Sequence, residues 1–140
     1  MNRNLVAYVA AAIVLFGLDM VWLSTTAQSI YQAALGGPGG VMSGKFNLTP
    51  VVIFYLLYPV GLVYFAVLPA LRGGGWTTAI VNGALFGFFA YMTYDMTNMA
   101  SLKVWSWRVS AIDVAWGTVL NGAAATASYF LTRIIAGTAA

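Results

Sequence analysis

Four stretches of the chain run apolar long enough to cross a lipid bilayer: Asn4 to Thr25, Thr49 to Leu71, Thr77 to Asn98 and Ser110 to Arg133. Each has about 22 residues, and at ~1.5 Å per residue a helix of that size covers the ~30 Å hydrocarbon layer with some tilt. The backbone has no water to bond there, so each stretch is predicted to be helical. Four helices in alternating direction give an all-α, antiparallel integral membrane four-helix bundle. Both termini fall on one membrane face, side A, opposite side B. The 140 residues form one domain, since no segment is polar enough for a separate soluble module.

The connections fit this division. "RGGGW" between helices 2 and 3 allows only a tight reversal, with glycines for the unusual dihedrals. "SLKVWSWR" joins helices 3 and 4, and its Trp105, Trp107, Lys103 and Arg108 suit the headgroup layer. The longest connection, 26–48, is predicted as a short interfacial helix over "SIYQAAL" and then an irregular loop begun by "GGPGG". Pro50 suits the first turn of helix 2, Pro59 should kink that helix near its middle, and Pro69 lies near its exit. Helix 1 also has signal-peptide features in Arg3 and the small residues of "TTAQ". Asp19 interrupts its apolar run, so a retained helix is the expectation.

Composition narrows the chemistry. Apolar residues make up 61% of the chain and charged residues 6%, against roughly 25% charged in soluble domains. With neither cysteine nor histidine, disulfides, thiol catalysis, the usual zinc and haem ligands and a histidine base are excluded. No catalytic or metal-ligating residue is identified, and no cofactor can be named. The net charge is +3, but the six basic residues are scattered singly, which excludes a nucleic-acid partner. Side A receives Arg3, Arg72 and Arg133, and side B receives Lys45, Lys103 and Arg108. This tie in the positive-inside count leaves orientation to a lean toward a cytoplasmic side A, from the amino-terminal charge and the very short Arg72 loop.

The three acidic residues carry the strongest signal. Counting along alternating helices puts Asp19, Asp95 and Asp113 all in the side B half. Ionisable groups at membrane depth are costly and usually face a bundle interior or a water-filled cavity. Tyr91, Asp95 and Asn98 share one face of helix 3, while Asp113, Gly117 and Asn121 recur every four residues on helix 4. "LDMVW" and "IDVAW" each set a tryptophan, Trp22 or Trp116, three residues after an aspartate, which suggests a shared pairing of an indole N–H with a carboxylate. Asp-Met also recurs on helices 1 and 3, consistent with a duplicated two-helix hairpin.

Each feature has a structural alternative. Asp95 and Asp113 fit helix-end groups bonding headgroups, Lys103 or Arg108, and Asp113 also suits the helix 4 N-terminus. Ala79, Gly83 and Gly87 form a small-xxx-small stripe that lets helix 3 approach a neighbour closely, and Gly117 and Asn121 of helix 4 also suit helix packing. Asn82 and Asn121 are expected to bond between helices, and the aromatics of "FYLLYP" to fill the bundle or meet lipid.

"LDMVWL", "FYLLYPVGLVYFAVLPAL", "GALFGFFAYMTYDMTNMASLKVW" and "DVAWGTVLN" together resemble a family of small membrane proteins, domain of unknown function 2177. "TYD-TN" and "D-AWG" are the most specific elements. The resemblance implies a bacterial four-helix membrane protein, multi-pass in the inner (cytoplasmic) membrane, and transfers no catalytic role to any residue.

Three function classes follow. In the first, Asp19, Asp95 and Asp113, helped by Tyr91, Tyr94, Asn98, Trp22 and Trp116, bind or transport a cation, proton or polar small molecule, transport requiring a homodimer. In the second, the chain is an accessory subunit of a larger membrane complex. The third is a lipid-modifying enzyme with a carboxylate pair as acid and base, ranked last because no nucleophile is recognisable. Membrane lipids are partners in all three.

Overall fold

The computed structural model describes residues 2–42 and 47–137. Lys45, assigned to side B by the sequence, and part of its glycine-rich loop lie outside the described residues.

The described chain is all-helical, in three continuous runs: Arg3–Leu35, Leu48–Ser101 and 107–136. The first joins α1 (Arg3–Trp22) to α2 (Gln28–Leu35) through a wide π-helical turn, Leu23–Ala27. The short helix expected over "SIYQAAL" is therefore α2, but it continues helix 1 rather than standing apart in a connection. No glycine or proline occurs between Asp19 and Leu35, so nothing breaks the ladder before Gly36. The Ser24 and Thr25 hydroxyls bond back to the Val21 carbonyl at the wide turn.

The second run is a hairpin. α3 (Leu48–Leu62) contains Pro59, whose missing N–H removes one rung of the ladder, and a wide turn at Val63–Val67 follows it. Another wide turn, Ala70–Gly74, leads into α4 (Gly75–Ser101). The reversal is made at Gly73 and Gly75, whose φ angles of 122° and 72° suit glycine. Contacts pair the arms symmetrically about this point: the Asn82 amide donates to the Phe65 carbonyl at 3.1 Å, and Phe86 packs against Gly61.

α5 (Trp107–Ala136) begins at Ser106, whose hydroxyl caps the Val109 N–H. Both α4 and α5 extend beyond the predicted 77–98 and 110–133. In α4 the added turn carries Ser101, whose hydroxyl bonds back to the Thr97 carbonyl. The runs Arg3–Leu35 and Leu48–Ser101 are apolar and long enough to cross a membrane. α5 is more polar because it lies innermost and faces protein: Ser110, Asn121, Ser128 and Thr132 are buried on it.

α4 and α5 pack with backbones almost touching. A methyl group on Gly87 would lie 2.1 Å from the Gly117 carbonyl oxygen, and one on Gly83 2.6 Å from that of Asn121. Ala79 is also fully buried. On the other flank of α5, Ser128 donates to the Ala7 carbonyl of α1 at 2.8 Å. Leu15, Leu62, Val67 and Leu120 fill the centre of the core. Near the start of α1, the Arg3 guanidinium donates to the Leu71 carbonyl at 2.6 Å, so that end sits beside the hairpin tip.

Candidate functional site

One helical turn beyond Leu15, at the other end of α1 from Arg3, the core becomes polar. Asp19 is 8% exposed and receives hydrogen bonds from two other helices: Tyr55 Oη of α3, and Trp116 Nε1 of α5 at 3.1 Å. The indole–carboxylate pairing suggested by the sequence thus occurs across helices rather than within one. Trp116 also stacks on Trp22, with ring centroids 4.6 Å apart and planes 10° from parallel. Among the described residues the buried Trp22 Nε1 has no partner.

Asp113 accepts a hydrogen bond from Tyr31 Oη, supplied by α2. Asp95 is 0% exposed, and among the described residues neither of its oxygens has a hydrogen-bond partner. It lies close to Ser110, Asp113 and Trp105, and Trp105 Nε1 donates to Ser110 Oγ at 3.0 Å. Asp95 therefore faces the protein interior, and the alternatives of lipid exposure or headgroup bonding do not apply to it.

Asp19 and Asp113 open onto a cavity of about 450 Å³. Trp22, Tyr91, Tyr94, Asn98 and Trp116, all singled out by the sequence, also line it. Asp95 is not part of the cavity lining but lies close to two residues that are, Asp113 and Trp105. Gly117 belongs to the site as well as to packing, since any side chain there would strike the Tyr91 ring, 2.3 Å from the Cβ position. The Asn121 amide donates to the Gly117 carbonyl of its own helix at 2.7 Å, and its side chain also lies close to Tyr58 of α3.

Three contributors were missed by sequence reasoning. In the sequence, Tyr31 reads as part of an interfacial helix, Tyr55 as bundle filling or lipid contact, and Trp105 as part of the headgroup layer. Each is an aromatic with a polar tip, which suits a membrane interface and a buried carboxylate equally. Only the continuation of α1 into α2 brings Tyr31 back over Asp113.

Every acidic residue of the chain is at this site, and the observed partners of Asp19 and Asp113 are neutral phenols and an indole. Such donors stabilise a carboxylate without cancelling its charge. Among the described residues, no three acidic side chains come together as a metal-binding group.

A family model described as Predicted membrane protein (DUF2177) matches residues 4–130. Comparisons with curated proteins and with solved structures find no match.

Proposed function

We propose, from the premise that the chain belongs to the DUF2177 family of predicted membrane proteins, that it is a multi-pass protein of the bacterial cytoplasmic membrane whose carboxylate-lined cavity binds a cationic species. The membrane architecture in this reading is an antiparallel four-helix bundle with both termini on one side. The 54-residue apolar run reverses at Gly73 and is long enough for two crossings. α1 and α5 supply the others, α5 turning its polar face inward.

The observation that carries the binding reading is the buried Asp95, unpartnered among the described residues and close to Asp113, which with Asp19 lines the cavity. A buried carboxylate without a partner is destabilising, and a cation or proton offsets that cost. Leu15, Leu62 and Leu120 close the core beyond the cavity, which favours a binding pocket over an open pore.

Native mass spectrometry of the gently solubilised protein, run beside Asp95→Asn, tests this reading. The wild type should retain a small cationic ligand that the folded variant lacks. A stoichiometric protein partner retained by both, with no small ligand, would instead identify an accessory subunit with structural carboxylates.

A further inference from the structure

The cavity has two chemically distinct parts. Its inner wall carries Asp19 and Asp113 among aromatic rings, while Leu23, Leu35, Val41, Met42 and Leu102 also line it without any hydrogen-bonding side chain. A bare metal ion uses neither its size nor its apolar part. About 450 Å³ falls within the ~300–1,000 Å³ range of small-molecule pockets, whereas a metal ion needs several oxygens within ~2.0–2.6 Å. The acidic side chains among the described residues do not form such a group.

Aromatic rings surround the charged wall. Trp22 and Trp116 are stacked, so each has one face turned from the other, and Tyr94 and Trp105 meet edge to face at 5.8 Å. Ring faces attract substituted ammonium groups through the quadrupole, without requiring the ligand to donate hydrogen bonds. The tyrosine and tryptophan donors already bonded to Asp19 and Asp113 leave fewer lone pairs for a strongly hydrogen-bonding cation.

Resting on the reading of this cavity as a cation site, we infer that its ligand is a substituted ammonium ion with an apolar body: the ammonium lies against Asp113 and the aromatic rings, and the apolar part lies along Leu23, Leu35 and Leu102. Asp95, which is outside the cavity lining, acts on the ligand only through its neighbour Asp113.

The test is binding to the full chain in lipid nanodiscs, read by tryptophan fluorescence and native mass spectrometry. The probes are benzyltrimethylammonium, its uncharged isostere neopentylbenzene, sodium and magnesium. Benzyltrimethylammonium should bind saturably, neopentylbenzene should not, and neither metal ion should displace it at equal concentration. Asp113→Asn should weaken binding at least about tenfold, as loss of a desolvated charge partner does. Tyr94→Leu, at a half-exposed position on the wall, should weaken it by about threefold and provides a second variant if Asp113→Asn does not fold.

Equal binding of the uncharged isostere overturns the inference, because the carboxylates then contribute nothing. Saturable binding of sodium or magnesium alone, lost in Asp95→Asn, also overturns it but leaves the cation site standing. Absence of any cation binding, together with identical native mass spectra for wild type and Asp95→Asn, overturns both readings.

Discussion

Asp19 remains buried because two helices supply it with donors, Tyr55 from α3 and Trp116 from α5. Removing either leaves a carboxylate oxygen short of a partner where water has little access. A hydrogen bond to a charged group contributes about 1.5–3 kcal/mol, and the loss of one partner exposes the desolvation cost of the other. Tyr55→Phe should therefore lower stability by about 2 kcal/mol, measured by unfolding the detergent-solubilised protein with sodium dodecyl sulfate. Trp116→Phe should act similarly while preserving an aromatic surface against Trp22. If neither variant shifts the unfolding midpoint, Asp19 is hydrated and the two donors are incidental. The aspartates were legible in the sequence because a charge within an apolar run is conspicuous and helical counting places it in depth. Their donors were not, because Tyr31 and Tyr55 differ in no local respect from tyrosines that face lipid, and only packing separates the two cases.

The α4–α5 contact illustrates what an element's sequence discloses and what it leaves to the fold. Ala79, Gly83 and Gly87 recur at helical spacing, so a close approach was legible, and the small residues meet α5 at Gly117, Asn121 and Ala125. The partner helix is not named by the stripe; the fold supplies it, with the short 102–106 connection making α4 and α5 antiparallel neighbours. Gly87→Ala places its methyl 2.1 Å from a backbone oxygen that no side-chain rotation can move. The helices must separate, at a cost of about 1–3 kcal/mol for overpacking. Gly17→Ala in α1 meets nothing within 4 Å and should be neutral or stabilising, by up to about 1 kcal/mol of helix propensity. Unfolding both variants side by side separates contact from propensity, and equal behaviour of the two would contradict the packing argument. The junction of α1 and α2 was less legible: the polar run "STTAQS" reads as an exit from the membrane, yet its hydroxyls bond back to the helix and let it continue.

At the scale of the whole molecule, the chain is polarised along its long axis. Arg3 bonds the hairpin tip at one end, and all three carboxylates gather toward the other, near the α4–α5 connection. In the proposed bundle this sets a topology that labelling can test, since the absence of cysteine allows single reporters to be introduced without background. Asn2→Cys and Arg72→Cys should react with an impermeant maleimide from the same side of sealed vesicles, and Ser106→Cys from the opposite side. The sequence left the absolute direction to a lean, because its basic residues are balanced between the two faces, and the same labelling assigns it: if Asn2 and Arg72 face the cytoplasm, the cavity lies toward the outer face. Labelling of Asn2 and Arg72 from opposite sides contradicts the four-crossing bundle, since the first two arms would then not return to the starting face. Labelling of Ser106 on the same side as Asn2 contradicts it independently, and would leave the carboxylates at the membrane surface that carries the termini.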